Sequence, residues 1–222
     1  MMRGLRVATY VAGLVVVVGG AANAQKACKV DSSARWFVKQ REWLDDSKAT
    51  WSNDTMRTSL LRAAHIESGK PLSVQMGWEL QEDVAPMTMA GESAAIAQLR
   101  TLASTRGSVW PTKSVVGASG VRAVWLLAHL DTALTRSALK RMMEAGPEES
   151  HAADVATLED RLRLQSGRKQ IYGTQFRVGA GGKLVLAPME DSAHVDLRRE
   201  DAGLPAFATS ACLARQGGSV RK

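Results

Sequence analysis

A chain of 222 residues that is 45% hydrophobic is too apolar for a disordered protein and long enough for one substantial core. Its formal charge of +7 falls to +5 once residues 1–24, which carry Arg3 and Arg6 and no acid, are removed. That excess is spread along the chain, and no basic stripe interleaved with aromatics marks a nucleic-acid binder; an unidentified small molecule or protein is the expected partner.

At the amino terminus Arg3 and Arg6 precede a short apolar run over residues 7–18, and Ala22-Asn23-Ala24 offers the small residues that signal peptidase uses. This order predicts a cleaved signal peptide over residues 1–24. The run falls short of the about 20 residues that cross a bilayer, so no transmembrane anchor is expected after cleavage, and Lys26 before Cys28 does not suit a lipid-attachment site. The mature chain is expected to be periplasmic or secreted. In such an oxidising compartment the two cysteines, Cys28 and Cys212, are expected to pair. The bond would contribute about 4–5 kcal/mol through chain entropy; the alternative is two unrelated buried thiols.

Residues 25–90 read as an amino-terminal helical region. Trp36, Val38, Trp43 and Leu44 recur near helical spacing, and Asp54 can cap a second helix carrying Leu60, Leu61 and Ala64, stopped by Lys70-Pro71. Residues 72–86 fit either an irregular helix or a loop packed on the core. Residues 91–212 then form the main body of a single globular domain. Residues 92–105 predict a helix with Ile96, Leu99 and Leu102 inward, ended by Gly107 and followed by an extended turn at Trp110-Pro111. The next helix starts beyond Gly117 and reaches Leu130; it is apolar around most of its circumference, which marks it as central and buried. A helix over residues 134–145 breaks at Gly146-Pro147. Glu148 and Glu149 then open another, acids at its positive end, with Val155, Leu158 and Leu162 on one face as far as Gly167.

Beyond Gly167 the period changes to two. Residues 170–178 and 183–186 predict an antiparallel hairpin about Gly179-Ala180-Gly181-Gly182, with Tyr172 and Phe176 on one face and Ile171 and Gln175 on the other. A short helix around residues 195–199 precedes Gly203-Leu204-Pro205, an apolar run to Cys212 and a flexible tail over 213–222. The expected class is mainly α with a small β hairpin (α+β).

Several of these elements carry a resemblance. Trp110-Pro111, Trp125-Leu126-Leu127, His129 with Asp131, Asp160-Arg161, Gln170 with Tyr172-Gly173-Thr174-Gln175, Pro188 with Glu190-Asp191, Arg198-Arg199 and Gly203-Leu204-Pro205 together resemble domain-of-unknown-function family 6624, over about residues 95–209. The family is uncharacterised, so the resemblance implies a domain and not an activity. Val109 stands where the family has glycine before Trp-Pro, and Ala128-His129-Leu130-Asp131 stands for its Gln-His-Ala-Asp.

His129 is a candidate general base near neutral pH, with Asp131 or Asp160 as the group that orients it. Arg161 and Arg198 suit an anion, and Gln170, Tyr172, Thr174 and Gln175 can complete a hydrogen-bonding cleft. The same residues equally suit a buried network that holds the fold together. Two functional readings follow, a ligand-binding or interaction domain, or a small hydrolase-like enzyme using His129 as base, with electrostatic association with an anionic surface as a third. Short connections are expected to bring His129, Asp131, Asp160, Arg161, Tyr172, Thr174 and Gln175 together. Neither a metal nor a cofactor is expected. His129 and Asp131, two apart on a helix, diverge, and no His-Glu-x-x-His, Gly-x-Ser-x-Gly or Walker-type loop occurs. His65, His151 and His194 read as surface or helix-end residues, and the six tryptophans as core anchors, with Trp36, Trp43 and Trp51 open to either role.

Overall fold

The computed structural model describes residues 33–64, 89–180 and 184–217. Within them the chain is mainly helical and carries one two-stranded antiparallel sheet. In order come α1 (Arg35–Leu44), α2 (Asp54–Ala63), α3 (Met89–Ser104), α4 (Lys113–His129), α5 (Thr132–Ala145), α6 (Ala152–Gln165), β1 (Phe176–Val178), β2 (Leu184–Leu186), α7 (Val195–Asp201) and α8 (Phe207–Gly217). The predicted signal peptide, Cys28, His65, the Lys70-Pro71 stop, residues 72–86, residues 181–183 and residues 218–222 lie outside the described residues.

Helix α4 is central because its side chains are apolar in every direction: Val116, Val121, Val124, Trp125 and Leu127 are all buried. Helices α1, α2, α3, α5 and α6 pack around it, and Leu61, Leu99, Leu134 and Leu158 complete one core. The helix begins in two steps. Gly117 (φ +70°) interrupts it, which frees the backbone N–H groups of Ala118 and Ser119 to donate to the Asp46 carboxylate at 2.8 and 3.0 Å. Arg57 pairs with that carboxylate at 3.1 Å and donates to Val116 O at 2.7 Å. A Cβ at position 117 would lie 2.5 Å from the Arg57 guanidinium, so both the dihedral and the space demand glycine. Burial alone would raise the Asp46 pKa, but the Ser119 and Ala118 bonds and Arg57 hold it below the ordinary value.

Local chemistry moved several boundaries. Asn53, and not Asp54, caps α2, accepting from Met56 N at 2.9 Å; Asp54 instead accepts from the Trp51 indole at 2.9 Å. Helix α6 starts at Ala152, after Glu148 and Glu149, because the Glu149 carboxylate accepts from Ser114 N at 2.9 Å and serves the start of α4. The residues from Phe207 form α8, a helix the short apolar run did not announce, and it continues into the stretch read as a tail.

The hairpin exists but is shorter than its sequence pattern. Phe176, Arg177 and Val178 pair with Leu186, Val185 and Leu184, while residues 171–175 are irregular. Gln170 forms an isolated parallel bridge with Met189. The alternating faces expected for Ile171, Tyr172 and Gln175 therefore do not arise, because Asp160 collects the backbone N–H groups that a ladder would have used.

Candidate functional site

Asp160, on α6, is fully buried and accepts from Ile171 N (2.7 Å), Tyr172 N (3.0 Å), Thr174 N (3.0 Å) and Thr174 Oγ1 (2.8 Å). A carboxylate with that many donors wraps the chain around itself. Gln170, also fully buried, locks the far side of the loop. Its Nε2 donates to Gln175 O (3.0 Å) and Ala187 O (2.9 Å), and its Oε1 accepts from Gln175 N (2.8 Å). The turn passes through Gly173 (φ +68°), where a Cβ would meet Met189 Sδ and the Phe207 ring at 3.0 Å.

Two arginines of α7 hold this loop from outside. Arg198 Nε donates to Ile171 O at 2.9 Å, and its other nitrogens reach Glu190 O and the Asp191 carboxylate and carbonyl. Buried Arg199 donates to Pro205 O (2.6 Å), Tyr172 O (2.5 Å), Gly173 O (3.5 Å) and Ser210 Oγ. Burial lowers the Arg199 pKa to about 10, opposed by the charges of Asp196 and Asp160, so it remains a cation at neutral pH.

The loop, α1, α4, α6 and the α7–α8 connection enclose a cleft of about 50 Å³, room for a few waters or a small polar molecule. Helix α4 presents Arg122, Trp125 and His129 to it, spaced three and four apart on one face. From the other side come His151, which precedes the first turn of α6, and Asp154. Arg122 is ion-paired with Asp154 Oδ1 and lies 3.9 Å over the Trp125 ring. Burial would raise the Asp154 pKa, yet Arg122 and then His151 hold it below the ordinary carboxylate value. The second Asp154 oxygen, Oδ2, is buried without a hydrogen-bond partner. So is His151 Nδ1, which sits 3.4 Å from Asp154 Oδ1 without aligning as a hydrogen bond. The His151 ring lies against Trp43, 4.7 Å between centroids.

His129 packs beside Trp125 (4.2 Å between centroids), and its Nδ1 is 2.8 Å from Trp125 O. A carbonyl only accepts, so Nδ1 carries the proton and Nε2 keeps its lone pair in the neutral ring. Burial pushes the His129 pKa down to about 4; the Trp125 bond works against that, and the Arg161 and Arg122 charges add to it.

Of the residues singled out from sequence, His129, Thr174 and Gln175 border the cleft. Gln175 Nε2 donates to Thr157 O at 3.3 Å. Asp160 and Gln170 stand behind the loop as its scaffold, and Arg198 braces it from outside. Tyr172 packs on Ala153, Ala156, Ala202 and Leu204. Arg161 donates to His129 O at 2.6 Å, satisfying the carboxyl end of α4. Asp131 is the N-cap of α5, accepting from Leu134 N at 2.7 Å, and is paired with Arg100 of α3. The expected seven-residue cluster thus forms only in part: Asp131 turns to Arg100, and the Trp125 carbonyl orients the His129 ring. Reading position by position missed Arg122, Asp154, His151 and Arg199. The i, i+3, i+7 spacing of Arg122, Trp125 and His129, and the i, i+3, i+6 spacing of His151, Asp154 and Thr157, were the available signals. Among the described residues no His, Cys, Asp and Glu group has metal-binding geometry, and no helix is long and apolar enough to cross a membrane.

Comparison with curated proteins and with solved structures gave no match. The family model of DUF6624, a family of unknown function, matches residues 67–216, starting upstream of the resemblance seen over 95–209. That span is more than half of the sequence, and the chain belongs to the DUF6624 family.

Proposed function

We propose that this protein is an exported small-ligand-binding domain whose site is the cleft between α4, α6 and the loop before β1. The observation that carries the reading is a pair of buried polar atoms without hydrogen-bond partners, Asp154 Oδ2 and His151 Nδ1, on two residues that line the cleft. A buried polar atom left alone costs about 1–3 kcal/mol, a cost a bound molecule would remove. Catalysis by His129 fits less well. A conjugate acid of pKa about 4 makes a weak base at neutral pH, and efficient general bases titrate near the working pH. The ring nitrogens of His129 and His194 that are hydrogen-bonded face the Trp125 carbonyl and the Asp191 carboxylate, and neither contact is the hydroxyl or thiol bond that activates a nucleophile.

Export rests on the basic, apolar and small-residue order of residues 1–24, which supports a mature chain in the periplasm or outside the cell. Pairing of Cys28 with Cys212 belongs to the same reading; Cys212 lies on α8, at the opposite end of the chain from Cys28.

The test is a screen of the mature protein, residues 25–222, against small molecules of mixed charge, by thermal shift and then by NMR mapping. Compounds that raise the melting temperature should move the Trp125 indole and His129 ring signals, and His129→Gln should weaken them. If none of the compounds perturbs these signals, the cleft is not a binding site.

A further inference from the structure

The polar atoms that border the cleft are unequal in a way that selects a ligand, given that the cleft is a binding site. Most of its side-chain donors are engaged by the protein itself, the His151 ring and the Ser210 hydroxyl excepted. Arg199 donates to three carbonyls and Ser210 Oγ, Arg122 to Asp154, and Gln40 Nε2 to Gly203 O at 3.1 Å. The Trp125 indole donates to Thr157 Oγ1 at 2.8 Å, and that hydroxyl donates onward to Asp154 O at 2.8 Å.

What remains is accepting capacity. Asp154 Oδ2 is buried and unpartnered. His129 Nε2 carries a lone pair because Nδ1 faces the Trp125 carbonyl, and no described residue donates to it. A molecule that satisfies these two acceptors must therefore bring hydrogens. An anion would bring no hydrogens to these two acceptors and would lie beside the Asp154 carboxylate. A cation would add to a site where two guanidiniums, Arg122 and Arg199, already outnumber the one carboxylate, Asp154. The volume of about 50 Å³ suits a guest of a few heavy atoms, and Leu44, Trp125, Phe176 and Leu204 on the wall suit a short carbon skeleton between its polar ends.

We propose that the cleft takes a small uncharged molecule with at least two hydrogen-bond donors, the hydroxyls of a vicinal diol or the N–H groups of a primary amide or urea, given to Asp154 Oδ2 and His129 Nε2.

The experiment titrates the isotope-labelled mature protein with matched probes: 1,2-ethanediol and urea; their capped counterparts 1,2-dimethoxyethane and tetramethylurea; acetate and phosphate; and methylammonium. The diol, the urea or both should shift the Trp125 indole and the His129 and His151 ring signals saturably, and which of them does so separates hydroxyl from amide donors. Capped, anionic and cationic probes should bind at least about tenfold more weakly, the equivalent of one lost hydrogen bond. His129→Leu should weaken the favoured probe by about tenfold while circular dichroism stays unchanged. Asp154→Asn gives a second reading if that variant does not fold, and the wild-type probe series decides the class even without variants. Preference for a capped, anionic or cationic probe at the same signals would overturn the assigned class and leave the binding reading standing. Failure of every probe to move those signals would remove both, and undiminished affinity in a folded His129→Leu protein would overturn the role given to Nε2.

Discussion

The His129 ring makes stability depend on pH in a window of its own. Its pKa is about 4 in the folded protein and about 6.5 in an unfolded chain. Between those values the unfolded chain holds a proton at this position that the native protein refuses, so unfolding free energy rises with pH there. At about 1.4 kcal/mol per pKa unit, the group contributes about 3 kcal/mol that is fully present above pH 6.5 and lost progressively as the pH falls to 4. Carboxylates held below their ordinary pKa, such as Asp154 and Asp46, act in the same sense but lower: their contribution is present above an unfolded pKa of about 3.9 and lost as pH falls through the folded value. Subtracting the His129→Gln variant removes them. Urea unfolding followed by tryptophan fluorescence, at half-unit steps from pH 4 to 7.5, should show the stability difference between wild type and variant growing by about 3 kcal/mol across the range. A difference flat to within about 0.5 kcal/mol, or a His129 ring that titrates by NMR near 6.5, would refute the burial and tautomer assigned to it. It would also return the imidazole to the range where general bases work.

Asp160→Asn keeps the shape but turns an amide NH2 donor toward backbone donors, and should cost about 2–4 kcal/mol, read as a lowered urea midpoint; a loss under about 1 kcal/mol would mean that the carboxylate does not hold the loop. Gly173→Ala adds a Cβ 3.0 Å from Met189 Sδ and Phe207, whereas Gly167, at φ +73°, has nothing within 4 Å. The first substitution should therefore lower the melting temperature clearly more than Gly167→Ala, which bears only the dihedral strain of about 1 kcal/mol; equal losses would contradict the tight packing at Gly173. Protein recovered from the periplasm or medium should begin at Gln25 and, unreduced, weigh two hydrogens less than its reduced form; alkylation of both Cys28 and Cys212 without reductant would disprove the pairing.

The helices were legible in the sequence because each buries a periodic apolar face whatever the rest of the chain does. Leu99 on α3, Val121 and Trp125 on α4, and Leu158 on α6 lie in the core, as their spacing demands. Strong local punctuation was legible too: Gly117 breaks α4 and Gly167 follows α6. What tertiary structure decided is where the polar side chains spend their bonds. Glu149 looked like an acid at the start of α6 and serves α4; residues 170–175 alternate like a strand, but the Asp160 carboxylate outbids a neighbouring strand for their N–H groups, since a charged acceptor binds an amide more strongly than a carbonyl does. The cleft was hidden for the same reason. His129 and Thr174 stood out as chemistry-bearing residues, but Arg122, Asp154 and His151 define the site only once α4 and α6 pack face to face. Periodicity is a property of a single segment, whereas pairing is a property of two that meet in space.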